Sequence, residues 1–384
     1  MAGTPDSSSS TSTLPPGHPP VHEHSEGQCP INGNTHAYCP PQKGDLRSVC
    51  PALNAMANHG YIRRDGQHLT SSALYYGLKD CYGLSSTLSA FLVTGGFLGI
   101  KRSPFFIPGL SSHIRAKNPD GSESPGGVVN LHLIGLHNGI EHDGSLVHLN
   151  TPPAEKYAPV EIQDTWVPKL VGDILPPVRG YSPADDEELE DSITISNSKP
   201  NSNHDRHGSS SDGSSESSGR YSSVSSDPSL QKYFDDPAYL TTLVDEADIG
   251  RMRARRQREI LPDKLDAAHA EIARGEMSIM LGVWSQTHEG KTGIPLPWLL
   301  RWLSEERLPE VPVPVPAKSH SVAESVQAVQ DLNGSGSESS SSSTTLAKTT
   351  LWRPNHKQML SDVVKRNKVI RAVTEAIESG TAKV

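Results

Sequence analysis

Cys50 stands directly before Pro51 in the run Asp45-Leu-Arg-Ser-Val-Cys-Pro-Ala-Leu-Asn54. Proline favours the first helical position, so Cys50 falls at the N-cap of a helix. The unpaired amides of Ala52 and Leu53 then point at its sulfur. The positive end of the helix dipole lowers a thiol pKa. This suits a stable thiolate, either a nucleophile or a metal ligand. An ordinary buried free cysteine is the plainer alternative.

Two further groups of residues have chemical potential. Ile140-Glu-His-Asp-Gly-Ser145 sets four polar side chains in five residues, just after the apolar residues around Leu131 to Leu136. Oxygen donors from Glu141 and Ser145, with a backbone carbonyl, suit a hard cation such as Mg²⁺ or Mn²⁺. A solvated turn with an Asp-Gly signal fits the same residues. Glu276 lies in Ile272-Ala-Arg-Gly-Glu-Met-Ser-Ile-Met280. On a helix its neighbours three and four residues away are Ile272, Ala273, Ile279 and Met280, all apolar. A carboxyl on a buried face tends to a raised pKa and is a functional candidate. A helix-edge glutamate reaching solvent is the alternative.

Other features are weaker. His22, His24, Cys29, His36 and Cys39 match no strong zinc spacing. Arg251, Arg253, Arg255, Arg256 and Arg258 read as a solvated helical face. Cys81 reads as structural.

The elements that must position these residues are mostly helical. Pro51 to His59 is a short helix closed by Gly60. Thr70 or Ser71 caps a helix to about Lys79, and Ser85 or Ser86 caps an apolar one from Leu88 to Ile100. That apolar stretch is too short for a membrane span and reads as a buried core helix. Tyr239 to Arg258, Lys264 to Trp284, Pro297 to Leu303 and Lys357 to Ile377 carry apolar residues at helical spacing. Val128 to Ile134 is the best strand. The fold class is mostly α.

Composition limits how much of the chain packs. Hydrophobic residues are 34 % and aromatics 5 %, below the globular norm of roughly 45–50 % apolar, which also counts glycine. Residues 1–26, 182–229 and 311–347 read as disordered, too poor in apolar surface to offset ordering entropy. Asn201 to Leu230 alone holds thirteen serines. The ordered pieces are then 27–181, 230–310 and 348–384. A net charge of −9 argues against a nucleic-acid partner. Four cysteines exclude a disulfide-dense scaffold. No secretory signal is visible in the first twenty residues, so the expected compartment is intracellular, cytoplasmic.

Taken together, these residues resemble the haem-thiolate peroxidases, the chloroperoxidase and unspecific peroxygenase family of mainly fungal origin. Gly44 to Tyr61 resembles the family's proximal segment, and Ile140 to Ser145 its metal-binding signature. Gly275-Glu276 and Leu296 to Pro309 resemble its distal helix and the stretch behind it, and Trp352-Arg-Pro354 its C-terminal segment. The likeness runs from about Tyr38 to Pro354, interrupted by the serine-rich segments.

The resemblance implies one multi-helix haem-binding domain of chloroperoxidase type with low-complexity insertions. It implies that Cys50 is the axial thiolate of haem b, its sulfur tuned by the Ala52 and Leu53 amides. Glu141, the His142 carbonyl and the Ser145 hydroxyl would bind Mg²⁺ or Mn²⁺. Glu276 would be the distal acid-base, with the His142 side chain as its partner. The implied activity is hydrogen-peroxide-dependent oxidation of a small organic substrate through a ferryl-oxo species, in secondary-metabolite biosynthesis. Two departures stand out: Val49 replaces the family's proline before the cysteine, and His148 replaces an arginine after the metal motif. A cysteine-nucleophile hydrolase and a non-catalytic haem-binding or scaffold protein with phosphorylatable serines are the competing classes.

Overall fold

The computed structural model describes residues 36–101, 103, 127–181, 228–312, 349–352, 354 and 357–381. The three segments expected to be disordered fall wholly or mostly outside these residues, as do His22, His24 and Cys29. The chain divides into a large unit, Met1–Leu308 with Arg353–Val384, and a small one, Pro309–Trp352.

In the large unit the helices are α1 (Pro51–Asn58), α2 (Ser71–Tyr82), α3 (Ser86–Gly99), α4 (Leu131–Ile134), α5 (Lys169–Gly172), α6 (Pro228–Asp235), α7 (Glu246–Glu259), α8 (Ala267–Trp284), α9 (Leu296–Glu305) and α10 (Leu360–Glu378). Strand content is slight. β1 (Leu69–Thr70) pairs antiparallel with β2 (Val128–Val129). A three-stranded sheet sets β3 (Leu243–Val244), β5 (Lys291–Pro295) and β4 (Gln286–His288) in the order β3-β5-β4. In the small unit β6 (Glu310–Pro312) pairs antiparallel with β7 (Thr349–Leu351). The fold is mostly α, as the sequence implies. Among the described residues no helix is long and apolar enough to cross a membrane.

Local chemistry explains the helix starts. Cys50 takes an extended N-cap conformation, with Pro51 in the first helical position. Thr70 accepts from the Ala73 amide and Ser85 from that of Leu88. Asp266 accepts from the amides of Ala268 and His269 to start α8.

Three expectations need correction. The helix expected over Tyr239 to Arg258 is split by β3. Asp245 and Asp248 form a capping box there, so α7 begins at Glu246. The strand expected over Val128 to Ile134 keeps only Val128–Val129, because Asn130 caps the helical turn Leu131–Ile134 through the Leu133 amide. Helix α3 is not a fully buried core helix: Phe97 is buried, but Phe91 is 59 % and Leu98 62 % exposed. Leu88, Ser89, Val93 and Phe97 form its single buried stripe.

Helix α10 packs along α7 and α8. Its approach to α7 depends on Gly250, where an added Cβ would lie 2.7 Å from Val373 Cβ and 3.2 Å from the Ile370 carbonyl. Replacing glycine by alanine within a helix gains roughly 0.5–1 kcal/mol from backbone entropy. Overpacking a tight contact costs typically 1–3 kcal/mol. The second effect should win, because backbone and a β-branched side chain cannot swing away. Gly250→Ala is expected to lower the thermal unfolding midpoint; an unchanged or higher midpoint would refute the tight α7–α10 contact.

Candidate functional site

The site draws on four parts of the chain. The turn before α1 supplies Cys50, the loop after α4 supplies residues 141–145, and α7 and α8 supply Arg253 and Glu276. His142 Nε2 lies 3.6 Å from Glu276 Oε2, and Arg253 Nη2 lies 3.7 Å from the same oxygen. The Glu276 side chain is 49 % exposed. Its charge acts on the half-buried Cys50 sulfur.

Electrostatics differ from the simple sequence argument at both groups. Burial pushes the Cys50 thiol up to about 12, and the nearby Glu276 charge adds to this. The Leu53 and Ala52 amides face the sulfur and oppose the rise, though no fully formed capping bond reaches it. The helix start therefore helps the thiolate without securing it alone. A thiol this hard to ionise becomes a thiolate when bonded to a metal cation. The same shift weighs against a cysteine-nucleophile hydrolase, which needs a depressed thiol pKa.

For Glu276 the expectation of a raised pKa is overturned. Burial does push upward, but the close approach of His142 and Arg253 outweighs it, and the net shift is downward. Apolar neighbours along α8 gave no sign of these two cations, which come from other elements. His142 shows the complementary behaviour. Burial acts to discharge it, yet Glu276 raises its pKa overall. Its Nδ1 is held against the Asp143 carbonyl at 2.7 Å, which leaves Nε2 facing Glu276.

The arginine run on α7 is not a solvated face. Arg253 and Arg256 are buried and clamp the 141–145 loop. Arg253 donates to the Gly144 carbonyl at 3.2 Å and Arg256 to the Ser145 carbonyl at 2.7 Å. Arg256 also stacks over Trp166. The missed signal was spacing: Ile249, Arg253, Arg256 and Ile260 recur at helical intervals and share one buried side.

The 141–145 loop holds the residues expected to bind a cation. Glu141 is buried, and its Oε2 makes no hydrogen bond, although His137 Nδ1 is 3.6 Å away. Burial pushes the Glu141 carboxyl up. The Ser145 hydroxyl instead accepts from the amides of Val147 and His148 at 3.3 and 3.2 Å. Among the described residues no three His, Cys, Asp or Glu side chains gather around one point. The donors that fit a hard cation here are thus Glu141 and backbone oxygen, with Ser145 turned toward the backbone. Of the weak zinc candidates, His36 stacks on Tyr61 at 3.9 Å and Cys39 is fully buried.

His148 is 1 % exposed, with Nδ1 on the Glu161 carbonyl at 3.1 Å. Burial lowers its pKa to about 4, against the opposing pull of that carbonyl. The residue is neutral and cannot replace the positive charge of an arginine. It also couples stability to pH. The unfolded chain takes up a proton near pH 6.5 and the folded chain only near 4, so stability is complete above 6.5 and declines between these values. The loss approaches about 3 kcal/mol at the lower end. His148→Asn should show a smaller fall in unfolding midpoint between pH 7.5 and 5.0. An equal fall in both proteins would contradict this role.

Comparison with known proteins adds a finding independent of the geometry. Residues 36–212 match the family model described as Peroxidase, family 2. The chain is 37 % identical over 119 residues to an aromatic peroxidase of Fusarium equiseti, covering 29 % of this chain and 26 % of that protein. It is 30 % identical over 116 residues to a chloroperoxidase of Leptoxyphium fumago, covering 30 % and 27 %. A dothistromin biosynthesis peroxidase of Dothistroma septosporum is 32 % identical over 112 residues, covering 29 % and 26 %. Each match spans about a quarter of the relative's own length.

Proposed function

We propose that the chain is a haem-thiolate peroxidase, binds haem b through Cys50 and oxidises a small organic substrate at the expense of hydrogen peroxide, a reading supported by its likeness to the peroxidase family. The observation that supports this reading is that Glu276, more than two hundred residues away in sequence, lies near enough for its charge to act on the Cys50 sulfur. Haem held there supplies the activation of peroxide and the oxidising power, with the thiolate favouring O–O cleavage.

The chain's own groups supply position and proton transfer. Cys50 provides the sulfur, and the Ala52 and Leu53 amides temper its charge. Glu276, held as a carboxylate by His142 and Arg253, takes the proton from one peroxide oxygen and returns it to the other. The same two cations make its acid form a stronger donor, which eases the return. His142 keeps Nε2 toward Glu276 because Nδ1 is committed to the Asp143 carbonyl. Arg253 and Arg256 hold the loop from which His142 projects.

A Mg²⁺ or Mn²⁺ ion would be held by Glu141 and the His142 carbonyl, with Ser145 joining on release of its amide contacts. Glu141 with its unbonded buried oxygen supports this assignment. A role in secondary metabolism is the finer part of the proposal. It is supported by a relative named for dothistromin biosynthesis.

Glu276→Gln tests the reading. General acid–base groups contribute roughly 10²–10⁴-fold, so peroxide turnover is expected to fall by about 10² or more while haem content is retained. Turnover equal to the parent's would remove Glu276 from the proposed proton-transfer role.

A further inference from the structure

Helix α9 ends in a conformation suited to glycine. Its C-cap, Glu306, has φ +50 and ψ +44, the left-handed region that disfavours residues with a Cβ. Glu306 is also 2 % exposed. Backbone strain and carboxylate burial both disfavour glutamate here, and a local rule broken twice at one residue points to a role beyond the cap.

Its contacts lead to the sulfur. Asn54 Nδ2 donates to Glu306 Oε1 at 2.5 Å and to the Ser48 carbonyl at 2.7 Å. The Ser48 amide donates back to Asn54 Oδ1 at 3.0 Å. Ser48 Oγ accepts from the Cys50 amide at 3.1 Å. The result is a continuous hydrogen-bonded path from Glu306 through Asn54 and Ser48 to the residue that carries the sulfur. A second tie runs from Asn58 Nδ2 to the Glu306 carbonyl at 3.2 Å, and buried Arg47 donates to Asn58 Oδ1.

We propose that Glu306 is a positioning residue for Cys50: it fixes the turn that aims the sulfur, and its negative charge strengthens the sulfur's electron donation. The inference rests on the reading of Cys50 as the axial thiolate. A negative charge near the sulfur favours the more positively charged iron, so removing it should raise the iron reduction potential and weaken the iron–sulfur bond.

The test compares the haem-supplied full chain with Glu306→Gln, Glu306→Gly and Glu306→Asp. Glutamine keeps the acceptor for Asn54 and removes the charge. Glycine relieves the positive φ, so the helix end can form even if glutamine fails to fold. Aspartate keeps the charge. A more positive reduction potential and a lower iron–sulfur stretching frequency are expected for Glu306→Gln and Glu306→Gly, with Glu306→Asp near the parent value. Potentials unchanged in the glutamine and glycine variants would overturn the proposal. So would a shift in Glu306→Asp as large as in Glu306→Gln, which would locate the effect in packing rather than charge. If the parent protein itself lacks a thiolate signature, the reading of Cys50 fails instead.

Discussion

The site depends on one compensated charge, the Glu276 carboxylate between His142 and Arg253. The two cations approach the same oxygen at 3.6 and 3.7 Å from separate elements. Burying any of these groups alone is costly, and leaving one unpaired is costlier still. Burial alone would raise the carboxyl and lower the histidine, yet each shifts the other toward its charged form. This constraint orients the loop after α4, because Arg253 reaches Gly144 as well as Glu276. It also explains why α7 has buried arginines on its inner side rather than aliphatic residues only. The proposed acid-base group and the proposed cation loop are thus tied through one helix.

The sulfur is governed by a different balance. Its burial and the surrounding carboxylates oppose a free thiolate, while two helix amides favour one. Such a sulfur is quiet until a cation binds it. A nucleophilic enzyme would need the reverse arrangement, with the charge favoured in the free state. The proximal turn is held from behind by Asn54, whose side chain spans from Ser48 to the end of α9. Helices α1 and α9 therefore act as one support for the cysteine, although they are far apart in sequence.

Much of this arrangement was legible in the residues. Pro51 after Cys50, Thr70, Ser85 and the terminal Gly60 mark local backbone states, and local signals survive folding well. The proximity of His142 to Glu276 was implied only by the family likeness. What escaped was set by contacts between distant segments. Apolar neighbours along α8 suggested a raised pKa for Glu276, because cations arriving from other helices leave no trace in its own periodicity. Five arginines within eight residues looked solvated, and only the shared spacing of Ile249, Arg253, Arg256 and Ile260 hinted otherwise. The strand expected at Val128 was shortened because Asn130 offered a cap, a competition decided by a single side chain.

The central claim is that Cys50 ligates haem iron as a thiolate, and its most direct measurement is an absorption spectrum of the haem-supplied protein, reduced and exposed to carbon monoxide, beside Cys50→Ala. A strongly red-shifted Soret band that disappears in the variant is the predicted result. Failure of the parent protein to take up haem, or a band indifferent to the substitution, would contradict the account.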